Sequence, residues 1–413
     1  MKIDFLENVL TQKLSGLEQK KFIASVKIIK DLYVNGPQPI ANICKQLKIS
    51  SPNAFAILSD LIERGVIERR GYGESNGGRK PELYRVKDDA FYIVGIDMDI
   101  YQTRFSLFNG ARENITGIKA CQIPLNNDIK TLNKLIEEID RFIKESGIER
   151  DKIVGVGLSF PGLVDAINGI NYTYLHFGAR NVRDVLQEHL KIPVFVENDA
   201  KAISLAVWRF GVAKGRKNVL VLYLDWGIGM GMILNGRLYR GANGFSGEFS
   251  HIPVVENGDL CICGKLGCLQ TIAAGTALVK LVEEGVKSGK SSLSSVAENG
   301  NSNIDVKSVV KAALNGDQYC INTLSAIGKN LGRGISILIQ LYNPEMIVLG
   351  GAMAEAGHYL TTPIQQAINT YSISQISDGV KMEVSKMGKE IGVNGAMAVA
   401  MEDVFDLFLK NHK

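Results

Sequence analysis

Residues 247–270 read GEFSHIPVVENGDLCICGKLGCLQ. Three of the chain's six cysteines, Cys261, Cys263 and Cys268, fall within eight positions of one another, and His251 precedes them. Thiolate and imidazole together match the ligand preference of a tetrahedral zinc, and no oxygen ligand is needed. Gly264 and Gly267 let the backbone turn tightly enough for three thiolates to converge on one ion. The plainer alternative is three small buried cysteines and an unrelated histidine. The Cys-X-Cys-Gly-X-X-Gly-Cys spacing favours the metal. A disulfide is disfavoured, because nothing else marks the chain as secreted. Its start, MKIDFLENVL, has acids where a signal peptide needs an apolar run, and no stretch of the sequence is long and apolar enough to insert in a membrane. The sequence therefore predicts a cytoplasmic protein with a structural zinc.

The chain has 413 residues, enough for two or three domains, and a net charge of +4. That charge is unevenly placed. Residues 1–89 hold 15 Lys and Arg against 11 Asp and Glu, and the rest of the chain is balanced. A basic module on a neutral body suits a nucleic-acid reader joined to a ligand-binding body, although solvated helix faces give the same count.

The order of elements in that module sharpens the expectation. Helical spacing of Phe22, Val26, Ile29 and Leu32 or Tyr33 predicts a helix over 17–33, stopped by Asn35-Gly36-Pro37. A second short helix fits 40–47, with Ile40, Ile43 and Leu47 turned inward, and Lys48-Ile49-Ser50 is the turn. Ser51 is the expected N-cap of a third helix over 52–64, with Pro52 at its first position. Phe55, Leu58 and Ile62 form its expected buried stripe. Ser51, Asn53, Ala54, Ile57 and Ser59 or Asp60 are left outward, with Asn53 best suited to a base edge. Two short strands, 66–70 and 83–86, flank a basic tip carrying Arg79 and Lys80. Helix, helix, turn, helix and hairpin in this order predict a winged helix-turn-helix, with Ser51, Asn53, Ala54, Arg79 and Lys80 at the DNA. A helical dimerisation module with a basic loop is the competing reading.

The pattern His, nine residues, Cys-X-Cys-Gly-X-X-Gly-Cys, with Gly-Glu-Phe-Ser just before the His, resembles the ROK family (repressor, open reading frame, kinase). The resemblance runs from the helix-turn-helix to a glycine-rich strand turn near Gly350, and the tip Gly-Gly-Arg-Lys-Pro resembles that of the family's repressor branch. It implies a fold in the α/β class: an N-terminal winged helix-turn-helix (1–89) followed by two actin-like, ribonuclease-H-like lobes. The first lobe would be 90–200, completed by a terminal helix within 392–413. The second would be 201–391, with a strand over 219–224, a long glycine-bearing helix over 317–341 and a polar linker over 291–303.

The resemblance also implies site residues. Glu197-Asn198-Asp199-Ala200 matches the motif whose Asn and Asp bind sugar hydroxyls and whose Asp is the kinases' general base. On the residues alone, Asn198 or Asp199 capping a helix is an equally ready explanation. Glu248 and His251 match the family's Gly-Glu-X-X-His sugar contacts. One His251 nitrogen would bind zinc and the other a hydroxyl. The family's last contact, a Glu, is Gln270 here. Two further departures concern ATP. The kinases' first phosphate turn, Asp-X-Gly-Gly-Thr, appears as Asp97-Met98-Asp99-Ile100-Tyr101-Gln102-Thr103, with an acid and bulk in place of the glycines. In the second, Asp225-Trp226-Gly227-Ile228-Gly229-Met230-Gly231, the glycines survive but Trp226 replaces a hydroxyl residue.

These features imply a sugar-responsive transcriptional regulator in which Asp199 is a vestigial base. Its effector would be a sugar or sugar phosphate in a ROK-type cleft. Operator DNA and a second copy of the chain would be its partners, and a homodimer is expected. An ATP-dependent sugar kinase with a DNA-binding extension is the alternative, and a repressor governed by a protein partner is a third possibility.

Overall fold

The computed structural model describes residues 16–74, 80–178, 180–291, 293 and 304–410. The chain divides into two compact units, Met1–Asp199 with Gly392–Lys413, and Ala200–Ile391.

The first unit opens with α1 (Gly16–Asn35), β1 (Gln38–Pro39), α2 (Ile40–Leu47) and α3 (Ser51–Glu63), then β2 (Ile67–Tyr72) and β3 (Glu82–Val86). The three strands form a sheet in the order β1-β3-β2, with Ile67 opposite Val86 in the antiparallel hairpin. This is a winged helix-turn-helix. Phe22, Val26, Ile29, Leu32 and Tyr33 are the buried face of α1, at the spacing the sequence shows. The wing tip, with Arg79, lies outside the described residues, and so does most of the 291–303 linker. Lys80 is exposed.

Three expectations about α3 need correction. Its N-cap is Ser50, not Ser51, which is the first helical residue, so Pro52 sits second. Its buried stripe is Ala54, Ile57, Leu58 and Leu61, whereas Phe55 is 53% exposed. Ala54 and Ile57 therefore face the core and cannot touch DNA. The observed stripe is shifted by one residue from the expected one, which on a helix is a rotation of about 100°. Residue size favoured Phe55. In the fold α3 packs against α1 and α2, with Ala54 fully buried.

The helix-turn-helix module packs onto the remainder of the first unit. Tyr33 of α1 packs edge-on against Phe91 and Phe405, with ring centroids 5.0 and 5.8 Å away. Lys30 pairs with Asp406 at 2.6 Å, and Arg112 donates to the Val34 carbonyl at 2.7 Å.

The rest of the unit is β4 (Tyr92–Met98), β5 (Thr103–Phe108), β6 (Lys119–Cys121), α4 (Ile129–Ser146), β7 (Ile153–Phe160), a β8–β9 ribbon (Val164–Asp165, Ile170–Asn171), α5 (Val182–Leu190) and β10 (Val194–Asn198). The sheet order is β10-β7-β4-β5-β6, with β10, β7 and β4 parallel and β5 and β6 antiparallel. Leu132, Leu135, Ile139 and Phe142 of α4 and Leu186 and Leu190 of α5 form one core with the sheet. The terminal helix, Ile391–Lys410, lies directly over Gly95 and Gly157, which are partners in register.

The second unit takes up α6 (Asp199–Phe210) from Ala200 on. It continues with β11 (Val219–Leu224), β12 (Ile228–Leu234), β13 (Arg237–Leu238), α7 (Gln270–Ala273), α8 (Gly275–Lys287), α9 (Val306–Leu314), α10 (Gln318–Tyr342), β14 (Met346–Gly350), α11 (His358–Tyr371), α12 (Ser374–Ser377) and β15 (Lys381–Val384). The Ile391–Lys410 helix is α13. The sheet order is β13-β12-β11-β14-β15. The glycines of α10 are packing devices. A Cβ on Gly332 would lie 2.5 Å from the Ile364 carbonyl of α11, and one on Gly328 would lie 2.9 Å from the Leu360 carbonyl. Two α/β lobes after a winged helix-turn-helix are the fold class that the sequence implied. Among the described residues no helix is long and apolar enough to cross a membrane.

Candidate metal centre and effector site

The second unit brings His251, Cys261, Cys263 and Cys268 together, with their ligand atoms all within 4.8 Å of one another. His251 Nδ1 is 3.5 Å from Cys261 Sγ, and the Cys263 and Cys268 sulfurs are 3.6 Å apart. Zinc–sulfur bonds of about 2.3 Å and zinc–nitrogen bonds of about 2.0 Å in a tetrahedron set ligand separations of roughly 3.5–3.8 Å, so the donor set fits such an ion in both chemistry and spacing. The local fold explains the convergence. Gly264 and Gly267 have φ of +83° and +71°, and a Cβ on Gly267 would lie 1.8 Å from the Val255 carbonyl oxygen. Cys261 N–H donates to the Lys265 carbonyl, which closes a tight loop around Cys263. Burial, reinforced by the two neighbouring thiols, pushes the Cys268 thiol up to about 12. A bound dication reverses that preference, because metal ligation requires the thiolate.

His251 ends a short 3-10 turn, Phe249–His251. Its Nδ1 faces the sulfurs, leaving Nε2 on the other edge of the ring. The turn is held from behind by a feature that the sequence reading missed. A Cβ on Gly334 of α10 would meet Phe249 at 2.8 Å and Leu269 at 2.9 Å, so this glycine admits the two apolar anchors flanking the cluster. Glu248 is exposed. Gln270 is the first residue of α7, and its Oε1 accepts the Ile228 N–H at 3.4 Å.

In the first unit, Asn198 ends β10 and Asp199 begins α6, and both are half-buried. The Asn198 amide donates to Asp199 Oδ1 at 2.9 Å and to the Gly162 carbonyl at 3.2 Å, so it orients the carboxylate.

The turn after β4 is closed by its own side chain. Asp99 Oδ1 accepts the N–H groups of Tyr101 and Gln102, at 2.8 and 2.9 Å. Successive backbone N–H groups of this kind make an anion-binding nest, and here a resident carboxylate fills it. Arg104 then bridges Asp99 at 2.6 Å and Asp97 at 2.9 Å, while Ser159 donates to Asp97 at 3.1 Å. The sequence reading missed Arg104 and Ser159. Arg104 directly follows the turn but lies outside its motif, and Ser159 is distant in the chain; strand pairing sets Arg104 opposite Asp97 and Ser159 beside it. Burial holds the Asp97 carboxyl above its usual range, against the pull of Arg104 and Ser159.

Arg104→Ala is therefore expected to cost about 2–4 kcal/mol at pH 7, since it leaves a buried carboxylate unpaired. A carboxyl whose folded pKa is raised favours the fold below its unfolded pKa and loses that contribution as pH rises through the folded value. The variant's deficit should accordingly shrink toward pH 4 in denaturant titrations. A deficit that does not change with pH would count against this account.

The surviving glycines of the 225–231 segment have a different role from the one their pattern suggested. A Cβ on Gly229 would lie 2.4 Å from the Ala200 Cβ, and one on Gly231 would lie 2.1 Å from Ser204 Oγ. They let α6 lie on β12. Gly227 alone has room around it. Asp225 is half-buried and accepts the Trp226 N–H at 2.9 Å, and Trp226 is 55% exposed.

Residues 93–403 match the sequence profile of the ROK family. The chain is 28% identical over 390 residues to the xylose repressor of Caldicellulosiruptor bescii, covering 93% of this chain and 96% of that one. It is 32% identical over 311 residues to the glucokinase of Halalkalibacterium halodurans, covering 74% of this chain and 93% of the kinase. A crystal structure of a ROK family transcriptional regulator, a homologue of the E. coli MLC protein, superposes with a TM-score of 0.81 at 25% identity, covering 95% of this chain and 99% of that chain. An alignment over 93% of the chain includes most of the winged helix-turn-helix, whereas one over 74% need include none of it.

Proposed function

The chain belongs to the ROK family, and on that premise we propose that it is a sugar-responsive transcriptional repressor without kinase activity. The observation that carries the second half of this reading is the Asp99 carboxylate on the Tyr101 and Gln102 N–H groups. A phosphate at that turn would have to displace a carboxylate already bonded to two donors and paired with Arg104, and would meet its negative charge at close range. The likeness to a repressor along nearly the whole chain supports the first half.

In this reading Asn198, Asp199, Glu248, His251 and Gln270 bind the hydroxyls of a sugar or sugar phosphate. Asn and Gln supply both donors and acceptors, and the carboxylates accept from hydroxyl groups. His251, Cys261, Cys263 and Cys268 hold a structural zinc that fixes the histidine's tautomer and the pose of its loop. Ser51, Asn53, Arg79 and Lys80 contact operator DNA. The protein works in the cytoplasm as a homodimer, in which two recognition helices read two half-sites. Effector binding changes operator affinity through the first unit. There α13 packs on the sheet at Gly95 and Gly157 and on the DNA-reading module at Tyr33, so a shift of the helix moves the module. A tenfold change in affinity needs about 1.4 kcal/mol of coupling, which a few hydroxyl contacts supply.

The glucokinase likeness and the retained Asp199 favour the kinase as the second reading. A thermal-shift screen against sugars and sugar phosphates, with and without Mg-ATP, separates the two. A ligand at a hundred times its Kd stabilises by about 2.7 kcal/mol. The expected result is a shift with one sugar class, none with Mg-ATP, and altered retention of promoter DNA when that sugar is added. ATP-dependent phosphorylation of the same sugar would establish the kinase instead.

A further inference from the structure

We propose that Phe55 is a specificity-determining residue that reads the C5-methyl group of a thymine in the major groove. The inference rests on the proposed DNA binding and adds to it a residue and a base.

Phe55 is 53% exposed near the start of the recognition helix, although its size gives it the strongest claim in α3 to burial. Its exposed neighbours Ser51, Pro52, Asn53 and Ala56 carry no charge, and residues 51–59 contain no Lys, Arg, Asp or Glu. The first acid, Asp60, is paired with Lys21 and Arg64. The leading surface of α3 is thus neutral and partly apolar. Exposed cations flank it in the chain, Lys45 and Lys48 before the helix and Arg70 and Lys80 in the hairpin, against one exposed acid there, Glu74. A neutral face with positive flanks complements a duplex groove, whose floor of base edges carries the thymine methyls and whose rims are phosphate. Guanine is read best by arginine or lysine, and this part of α3 offers neither. Asn53 suits adenine, and a phenyl ring suits a methyl group. With more than half of its surface open to solvent, the ring is an apolar surface that folding leaves wet and that DNA would bury.

The test uses the full-length protein. A random duplex pool is enriched for bound sequences, and deoxyuridine then replaces each thymine of the enriched site in turn, which removes only the methyl group. At one position per half-site the wild-type protein is expected to lose about fivefold in affinity, the scale of one methyl contact. Phe55→Ala should bind the thymine site more weakly and be indifferent to that replacement. Phe55→Leu, which keeps an apolar end, should retain the sensitivity. Because the side chain is exposed, both variants should melt like the wild type. The assignment fails if Phe55→Ala keeps the full uracil penalty, or if no replacement affects the wild type. It also fails if the variant leaves DNA binding unchanged and alters the oligomeric mass, which would place the ring against a second copy. Enrichment without a uracil effect removes only the role of Phe55, whereas a pool that yields no bound sequence removes the DNA-binding reading itself.

Discussion

Purified protein is expected to carry one zinc ion per chain, and Cys268→Ser is expected to carry none and to melt about 10 °C lower. The size of the effect comes from the loop's lack of other support. Ile262 and Leu266 are 93% and 56% exposed, so the segment between Cys261 and Cys268 buries almost no apolar side chain. Its backbone bonds, such as Val254 N–H to the Gly267 carbonyl and Gly267 N–H to the Asp259 carbonyl, close a small ring whose apolar anchors, Phe249 and Leu269, lie outside the Cys261–Cys268 segment. Free energy of metal binding is therefore free energy of folding for this loop. A loss of about 3–5 kcal/mol in a unit of this size moves the melting temperature by roughly 10 °C. The consequence should reach the effector. His251 is both a ligand and, in the proposed function, a sugar contact, so sugar-induced stabilisation should vanish with the metal. Metal content by mass spectrometry and a melting curve decide the matter. Cys44→Ser, a change on the DNA-reading module far along the chain, should leave both unchanged. A Cys268→Ser protein that keeps stoichiometric zinc and its melting temperature would end the metal reading.

Gly157→Ala is expected to destabilise the first unit by about 3 kcal/mol or more, while Gly155→Ala, two residues earlier on the same face of β7, should stay within about 1 kcal/mol of wild type. The difference lies in the atoms each new methyl group would meet. At Gly157 it would be 1.8 Å from the backbone oxygen of Ala396 and 2.7 Å from the carbonyl carbon, a collision with α13 that no rotamer relieves. At Gly155 the nearest atoms are Phe195 Cε2 at 3.4 Å and Val404 Cγ2 at 3.5 Å, which is ordinary contact. There the substitution only removes conformational freedom from the unfolded chain. Because Phe405 of the same helix packs on Tyr33, Gly157→Ala should also loosen the DNA-reading module, visible as faster amide exchange in α1. Equal destabilisation by the two substitutions would show that α13 adjusts freely over the sheet, and the proposed route from effector to DNA would lose its rigid element.

Much of this protein is set by local chemistry and is therefore legible in the chain. Cys261, Cys263 and Cys268 lie within one loop, and the glycines that fold them together lie between them, so the convergence of these side chains was legible in their spacing. The buried face of α1 follows from periodicity in the same way. Asp99 in place of a glycine already argued against phosphate through charge.

Tertiary packing decided the rest, because it depends on which distant segment arrives. The register of α3 was one such case. The expected stripe and the observed one are a residue apart, and packing in the folded module buries Ala54 and leaves Phe55 at the surface. Gly229 and Gly231 were another. Alternating glycines serve equally to cradle a phosphate or to admit a helix, and only α6 on β12 shows which. Ser159 belongs to a strand whose pairing carries it to Asp97 from 62 residues away, and Arg104, though close in the chain, meets Asp97 only because β4 and β5 pair in that register. The sequence determined where backbone freedom and ligand atoms are concentrated, since those are properties of adjacent residues. Which glycines are packing sites and which side chains face solvent were fixed only when non-local surfaces met, since close packing leaves room for one of two locally equal choices.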